Sequence, residues 1–421
     1  MIKFLDTKNR NYKRNLINFL EIRRSGKNID TSIVKKIIKD VKLNKTNAVL
    51  KYEKRFSKNT SIKISNKQLI KVINSLDKKI KNSIDLAYSR IFKFHKKQKK
   101  KDILYKDEYN NKLAYKYKPL QSVGIYVPAN LPSTLLMNAI PAKIAGVKKI
   151  ILANPKLNGN LNPAVLYAAR KLGIKEIYSM GGAQAIASLA YIQKVNKIVG
   201  PGNIYVAKAK QELFGKVGIE SMIAGPSEIT VLAEKETNIE DIITSIIGQA
   251  EHDENSQCIL ISKDMNLIKD FQKKIKFRIK NLPRKSVISK SLTKNGLAIL
   301  AKNNKDITSS INEIAPEHLE MNIAKPNKIL NKIYNVGSIC IGKYSPMAVT
   351  DYNAGTNHVL PTLGSAKFAS GLNVNEFYKK ISYITLSKKG VEKIGESATY
   401  LAEYEKLHGH ALSIRSRMRR K

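Results

Sequence analysis

The sequence predicts an α/β protein with two Rossmann-like parallel units, an N-terminal helical extension and a C-terminal helical segment. Short apolar runs alternate with helical periodicity between residues 123 and 315, which is typical of strands and helices in parallel sheets. The chain has 421 residues, too many for one ordinary core, so two or three domains are expected. The segments at either end show the apolar spacing of helices.

Helices dominate the prediction for about the first 120 residues. Apolar spacing indicates helices over 31–43, 65–76 and 77–100, and Ser65 is placed to cap the second. From Tyr105 to Tyr117, alternating apolar and polar residues indicate strands around Asn110 and Asn111.

Two series of strands and helices follow. The first contains strands at 123–128, 149–153 and 177–180, a helix capped by Ser133 that ends near Gly146, and a helix at 163–172. The second contains strands at 229–233, 258–262 and 298–301 and helices at 239–251, 267–282 and 307–315.

The C-terminal segment is predicted to be helical. After Phe377 no further strand is expected, and residues 388–419 indicate a helix. Its apolar stripe, around Leu401, Tyr404 and Leu407, must pack on this subunit or on a partner.

The net charge of +43 is compatible with phosphate binding, but the composition argues against a specific nucleic-acid partner. Lysine accounts for 63 of the 76 basic residues, whereas proteins that read nucleic acids favour arginine and stacked aromatic residues. A solvated basic surface is therefore predicted.

Several protein classes are excluded. No apolar run is long enough to cross a bilayer, and residues 1–24 lack the continuous apolar centre of a secretory signal, so a cytoplasmic protein without a membrane partner is expected. The two cysteines, Cys258 and Cys340, lie in short apolar runs typical of buried strands. Their number excludes a disulfide framework or a thiolate metal cluster.

Histidine recurs beside acidic or amide residues in four segments of the C-terminal half. Imidazole next to carboxylate suits metal ligation and proton transfer near neutral pH. Together the segments predict one assembled site. They are Gln249-Ala250-Glu251-His252, Pro316-Glu317-His318-Leu319, the stretch from Asp351 to His358, and the stretch from Glu405 to His410.

The spacing within two of these segments indicates their chemistry. Gln249 and His252 lie three apart at the end of a predicted helix, so both can reach one metal ion. Asp351 and the later histidines can complete a mixed oxygen and nitrogen shell, which is usual for four-coordinate zinc. Glu317 and His318 stand at a strand end, where both can reach one cleft as two bases of different pKa.

Two glycine-rich turns, at 180–184 and 200–203, each lie between a strand and a helix. Backbone N–H groups at such a point bind phosphate, but tight packing turns explain them equally well. Neither turn matches the G-x-G-x-x-G fingerprint. Ser227, in the segment 224–228 before a strand, either bonds a substrate or holds the turn.

Seven ordered motifs connect the chain to one family. They are MNAIPA at 137–142, GGAQA at 181–185, GPGNIYV at 200–206, AGPSE at 224–228, QAEH at 249–252, PEHL at 316–319 and GTNHVLPT at 355–362. These motifs resemble the histidinol dehydrogenase family, and the resemblance extends from about Tyr115 to Arg417.

The resemblance implies an enzyme that oxidises L-histidinol to L-histidine with two molecules of NAD, through a retained aldehyde, in the last steps of histidine biosynthesis. One zinc ion per subunit would hold the imidazole and amine of the substrate, without a redox role. Its implied ligands, which would also contact substrate, are Gln249, His252, Asp351 and His410.

The resemblance also implies roles for the remaining site residues. His318 would contact the substrate and take the alcohol proton in the first oxidation, and Glu317 would activate water in the second. The implied pocket residues are Ser227, His358 and Glu405, and the implied NAD contacts are Tyr126, Gln184 and Asn203.

Four domain segments follow from the resemblance. Residues 1–20 would form a helical extension, residues 21–123 with 229–372 the metal and catalytic domain, residues 124–228 the domain with the NAD contacts, and residues 373–421 a helical dimerisation segment.

An intertwined homodimer is implied, because in this family the last segment reaches the site of the partner. Glu405 and His410 would then act in trans. On a continuous helix Glu405 shares a face with His408 and not with His410, since five residues turn through about 140°. We therefore predict a break near Gly409. His408 and His95 are expected at the surface.

Two departures from the family pattern bear on the substrate. Ala129-Asn130 replaces two glycines near the implied NAD site, and the segment 219–224 has Glu220 where aspartate is usual, with one extra residue. A same-fold dehydrogenase of another small alcohol, such as a sulfonated diol, is one alternative. A basic nucleic-acid-binding protein whose metal site is structural is another.

Overall fold

The computed structural model describes residues 2–24, 31–220 and 225–419. The N-terminal part begins with a strand and continues through four helices to a hairpin. Its elements are β1 (Lys3–Asp6), α1 (Tyr12–Arg24), α2 (Ser32–Ser57), α3 (Asn66–Asn74), α4 (Lys78–Lys96), β2 (Ile103–Lys106) and β3 (Lys112–Pro119).

Five strands of the first unit form a wholly parallel sheet in the order β6-β5-β4-β7-β8. Its elements are β4 (Ser122–Tyr126), α5 (Pro132–Ala145), β5 (Lys149–Ala153), α6 (Pro163–Leu172), β6 (Glu176–Tyr178), α7 (Gly182–Tyr191), β7 (Lys197–Val199), α8 (Ile204–Leu213) and β8 (Gly218–Ile219).

The second unit forms a six-stranded parallel sheet in the order β1-β11-β10-β9-β12-β13. Its elements after β1 are β9 (Glu228–Ala233), α9 (Ile239–Ala250), β10 (Gln257–Ser262), α10 (Met265–Ile279), α11 (Lys285–Asn295), β11 (Gly296–Leu300), α12 (Asn304–Ile314), β12 (His318–Asn322), α13 (Asn327–Leu330), β13 (Ser338–Ile341) and α14 (Met347–Thr350).

The C-terminal part returns to the hairpin. Two 3-10 turns, Ser365–Lys367 and Val374–Phe377, lead into β14 (Tyr378–Thr385), α15 (Lys388–Tyr404) and α16 (His408–Met418). Strand β14 pairs antiparallel with β3, which completes a three-stranded sheet in the order β14-β3-β2.

The two predicted parallel units are confirmed, and so are several local signals. Strands β9 and β10 are buried along their whole length, as expected where helices cover both faces of a parallel sheet. Ser65 caps α3, since its hydroxyl accepts from the Gln68 N–H while the Gln68 side chain bonds the Ser65 N–H. The predicted strands on either side of Asn110 and Asn111 form β2 and β3.

Three local predictions were wrong. Residues 3–6, predicted as helical extension, form the edge strand β1 because they pair in register with β11. A strand does follow Phe377, since β14 finds its partner in β3. Helix α5 begins at Pro132 with Leu131 as its N-cap, so Ser133 lies inside it.

The packing of the N-terminal helices also differs from the predicted grouping of residues 21–123 with the second unit. Val34 and Ile37 of α2 share a core with Ile151 and Ile186 of the first unit, and α3 and α4 pack on the same unit. By contrast, Leu16 and Leu20 of α1 lie in the core of the second sheet. No described helix is long and apolar enough to cross a membrane.

Candidate active site

A carboxylate and an imidazole stand side by side at the amino end of β12. His318 is the first residue of this strand and lies in register with Ile229 of β9 and Ser338 of β13. Glu317 directly precedes it, and both side chains are buried. His318 Nε2 lies 3.7 Å from Glu317 Oε1, so the two side chains do share one cleft.

Burial changes the proton affinity of this pair in opposite directions. It raises the pKa of Glu317 well above the usual range, and the nearby carboxylates of Glu228 and Asp351 add to the rise. It lowers the pKa of His318 to about 3, helped by the imidazoles of His358 and His252. His318 is therefore a neutral imidazole, and its buried Nδ1 has no hydrogen-bond partner among the described residues.

Asp351 and His358 lie on the loop that follows α14. His358 Nδ1 lies 2.7 Å from the Asp351 carbonyl oxygen and donates to it, which leaves Nε2 as an acceptor. Burial lowers the pKa of His358 to about 4 and raises that of Asp351 to about 7. Buried Glu320 accepts from the Met347 N–H at 2.5 Å and so fixes the start of α14.

Gln249 and His252 lie at the end of α9, as predicted. Gln249 is buried, and its Oε1 has no hydrogen-bond partner in the described chain. His252 is an exposed residue of the single chain, yet desolvation of its imidazole lowers its pKa. His252 lies close enough to His318 and His358 for its charge to lower the pKa of both. The site thus brings α9, β12 and the Asp351 loop together.

These side chains fit part of a metal site. A buried amide oxygen without a partner and the partly buried Asp351 carboxylate, whose pKa rises to about 7, would both be stabilised by a cation. No group of three His, Cys, Asp or Glu side chains forms a metal site within the described part of this one chain. Gln249, His252 and Asp351 supply three suitable donors, so a four-coordinate site needs one more.

His410 and Glu405 are not brought to this site by their own chain's secondary structure. Both are exposed, on the α15 and α16 pair, whose two helices pack chiefly on each other. The predicted helix break exists, but it lies at Lys406, which adopts a left-handed φ of 62°, and Gly409 is inside α16. A helix break near Gly409 is therefore confirmed, but a lysine three residues earlier, and not the glycine, adopts the left-handed conformation.

Ser227 is half-buried immediately before β9, and its carbonyl oxygen accepts from the Gln257 N–H at 3.0 Å. This bond holds the turn at the amino end of the sheet, close to Glu228. Of the motif around Ser227, Ala224 lies outside the described residues.

The three implied NAD contacts lie at the carboxyl edge of the five-stranded sheet, where parallel sheets bind nucleotides. Tyr126 ends β4 and is buried, and Gln184 is buried in the first turn of α7. Asn203 is exposed and caps α8, since its Oδ1 accepts from the N–H groups of Tyr205 and Val206. Position and exposure suit Asn203 best for ligand contact.

Both glycine-rich turns have packing contacts at their backbone. Buried Glu53 accepts from the Gly181 N–H and from Gln184 Nε2, both at 2.8 Å, so a carboxylate already occupies the N terminus of α7. At Gly200, whose φ is +109°, a Cβ would lie 2.0 Å from the Tyr126 carbonyl oxygen. The packing explanation is therefore favoured for the turn at the start of α7.

One departure from the family pattern has a structural explanation. Glu220 is buried and accepts from Lys210 Nζ at 2.5 Å, and the same ammonium group donates to the Gly200 carbonyl oxygen. The ion pair therefore braces the Gly200 turn. Residues 221–224, with the rest of this departure, lie outside the described residues, and nothing in the structure explains Ala129-Asn130.

His95 was wrongly predicted to lie at the surface, whereas His408 is exposed as predicted. His95 Nδ1 lies 2.9 Å from the Ile91 carbonyl oxygen and donates to it, and Nε2 accepts from Asn357 Nδ2 at 3.3 Å. Asn357 adjoins His358, so α4 helps to fix the site loop. The sequence offered one signal, the placement of His95 on a helix with apolar neighbours three and four residues away.

We expect His95→Ala to lower the free energy of unfolding by about 2–4 kcal/mol, because it leaves a cavity and an unpaired amide. Denaturant titration measures this. His408→Ala is the matched control, since an exposed imidazole should contribute less than about 0.5 kcal/mol. Equal stability of the two variants would contradict the assignment of His95 to the core.

Buried carboxylates and imidazoles at the end of one of two parallel sheets define a two-unit α/β enzyme. The sequence profile of histidinol dehydrogenase matches residues 22–418. A histidinol dehydrogenase from Pelagibacter ubique (strain HTCC1062) is 55% identical over 100% of both chains, and histidinol dehydrogenase 1 from Nostoc sp. is 45% identical over 80% of each.

A solved structure agrees with these sequences. The crystal structure of histidinol dehydrogenase from Elizabethkingia anophelis has a TM-score of 0.93 to this chain, at 34% identity, and covers 99% of this chain and 98% of its own. The chain belongs to the histidinol dehydrogenase family, as its seven motifs predicted. It is therefore an oxidoreductase.

Proposed function

We propose that the protein is a zinc-dependent, NAD-linked enzyme that oxidises L-histidinol to L-histidine in two steps through histidinaldehyde. The observation that carries the proposal is the buried pair of Glu317 and His318 beside Asp351 and the unpartnered Gln249 Oε1. This arrangement combines two bases with the donors of a cation site, in a chain that matches the family along its length.

The proposed metal ligands are Gln249, His252, Asp351 and the partner subunit's His410. Zinc, when bound there, supplies a Lewis acid that holds the nitrogen atoms of the substrate. The His358 Nε2 acceptor faces the substrate as the ring is fixed through Nδ1. Ser227 and the partner subunit's Glu405 complete the proposed pocket.

In the proposed mechanism each oxidation uses a different base of this chain. His318 accepts the alcohol proton in the first oxidation, since its ring is neutral and Nδ1 is free of bonds to the described residues. Glu317 activates water for attack on the aldehyde carbon, because a carboxylate with a raised pKa is a stronger base once ionised. Tyr126, Gln184 and Asn203 would hold NAD, which would supply the hydride acceptor for both oxidations.

A homodimer with shared sites is part of the proposal. Large apolar side chains on α15 and α16 remain exposed in the single chain, which supports burial against a second copy. They include Tyr400, Leu401, Tyr404, Leu407 and Leu412. The proposal also includes a cytoplasmic location, consistent with a biosynthetic enzyme.

We expect purified protein to form two NADH per L-histidinol consumed, and to lose this activity on chelation and regain it with zinc. Absorbance at saturating NAD gives the stoichiometry. NADH formation only with other alcohols would favour the alternative dehydrogenase. Activity untouched by metal removal would contradict the zinc assignment.

A further inference from the structure

Glu317 exchanges two hydrogen bonds with Glu228, a second buried glutamate that the proposed mechanism does not use. The Glu228 N–H donates to Glu317 Oε2 at 2.8 Å, and the Glu317 N–H donates to Glu228 Oε2 at 3.2 Å. These reciprocal bonds join the amino ends of β9 and β12. Glu317 Oε1 is left to face His318.

Glu228 is held in turn by Arg23, the next-to-last residue of α1. Arg23 Nη1 forms an ion pair with Glu228 Oε1, which also accepts from the Leu363 N–H at 2.9 Å. The side chains of Arg23 and Glu228 are only 6% and 1% exposed. Both oxygens of Glu228 are therefore fixed by named donors.

The remaining nitrogens of Arg23 extend the contact to two loops of the site. Nη2 donates to the Pro226 carbonyl oxygen at 2.5 Å, next to Ser227. Nε donates to the Asn255 carbonyl oxygen at 3.0 Å, three residues after His252. A single guanidinium thus ties α1 to the segments that carry Ser227 and Glu317.

A buried ion pair between Arg23 and Glu228, beside the ionisable Glu317, is a costly way to build a core. Desolvating each ion costs several kcal/mol, and apolar side chains of similar volume often stabilise such a site as well or better. What the charges provide is direction, because the three nitrogens of the Arg23 guanidinium donate to three different acceptors in a fixed plane and so set the orientation of the Glu228 carboxylate.

We propose that Arg23 and Glu228 are positioning residues that aim the Glu317 carboxylate at the water of the second oxidation. The inference rests on the proposed function, in which Glu317 acts only on the aldehyde. His318, the base of the first oxidation, has no described bond to Arg23 or Glu228. Loss of either positioning residue therefore slows the second oxidation more than the first.

The test separates the two oxidations in the intact dimeric enzyme loaded with zinc. Histidinaldehyde supplied directly reports the second step, and the first NADH formed from histidinol reports the first. In Glu228→Gln and Arg23→Met we expect kcat for aldehyde oxidation to fall about tenfold or more, with a much smaller fall for the alcohol. The yield falls from two NADH per histidinol toward one as aldehyde escapes.

Arg23→Lys and Glu376→Gln complete the design. Arg23→Lys keeps the charge and most of the packing, so it should recover part of the lost aldehyde rate and provide a folded variant. Glu376→Gln removes a charge from the ion pair with Lys197 on the other sheet, so it reproduces a loss of stability without touching Glu317.

Each outcome decides one question. A fall of aldehyde oxidation alone supports the inference. Equal losses in both steps, or no difference between Glu228→Gln and Glu376→Gln, overturn it and leave a purely structural role. A wild-type enzyme that fails to form two NADH per histidinol overturns the proposed function itself, independently of the variants.

Discussion

Mixing two inactive variants, His252→Ala and His410→Ala, should restore about a quarter of the wild-type activity. Each variant alone lacks a proposed ligand in every site. In a mixed dimer one site receives both substitutions and the other receives neither. Random exchange makes half of the dimers mixed, so about one site in four is intact.

The structure gives the physical reason to expect this exchange. Helices α15 and α16 pack mainly on each other and expose apolar side chains. The helix break at Lys406 separates them, and His410, which follows it, is exposed to solvent. Meanwhile the described part of one chain contains no group of three His, Cys, Asp or Glu side chains that could hold a metal ion. A homodimer explains both observations. The second chain would supply the fourth donor, and its surface would bury the apolar side chains of α15 and α16.

The control is a pair of variants on the same side of the interface. His252→Ala mixed with Gln249→Ala should recover nothing, because both ligands come from one chain and no site receives a native set. Co-refolding followed by an NADH assay measures both mixtures. If subunit exchange is demonstrated and neither mixture recovers activity, the shared site is contradicted and a site closed within one chain is favoured.

The fold was predictable where local pattern and tertiary pairing agree. Apolar runs such as β9 and β10 are buried on both faces, so their sequence alone identifies them. Strands β1 and β14 were missed because each lies at a sheet edge and has no fully buried side chain, so only pairing with a distant strand defines it. The turn at Lys406 was not predicted because no glycine occupies the position with positive φ.

The residues of the candidate site were likewise predictable only where a local sequence pattern marks them. The residues proposed to contact substrate or metal occur in compact motifs, so Glu317 and His318 could be predicted from the sequence. Arg23 and Glu228 were missed because they stand 205 residues apart, and no local signal links them. Glu53 reaches Gly181 across 128 residues and changed the interpretation of a glycine-rich turn. Such groups act through contacts that exist only after folding.

Asp351→Asn should abolish zinc binding and at the same time stabilise the metal-free protein at pH 8. Burial raises the pKa of Asp351 from 3.8 to about 7, so the ionised carboxylate destabilises the folded, metal-free chain at neutral and alkaline pH. The unfolded chain ionises this group near its ordinary pKa. The shift corresponds to at most about 4 kcal/mol, at about 1.4 kcal/mol per pKa unit.

The sign of the pH dependence distinguishes this cause from better packing. A raised carboxyl pKa favours the protonated folded form, so the penalty is complete above about 7 and disappears as the pH falls toward 3.8. The gain from Asp351→Asn in chelator-treated protein should therefore be largest at pH 8 and shrink toward pH 4. Denaturant titration at several pH values measures it, and metal analysis measures zinc.

Asp40→Asn provides a control of opposite sign. Hydrogen bonds from Asn44 and Lys51 lower the pKa of Asp40 to about 2, so its ionised form favours folding and its loss should not stabilise the protein. With zinc added, the wild type should become more stable than Asp351→Asn, because metal binding stabilises only the protein that keeps the carboxylate. A metal-free Asp351→Asn variant no more stable than wild type at pH 8 would contradict the view that this buried charge is maintained for a cation.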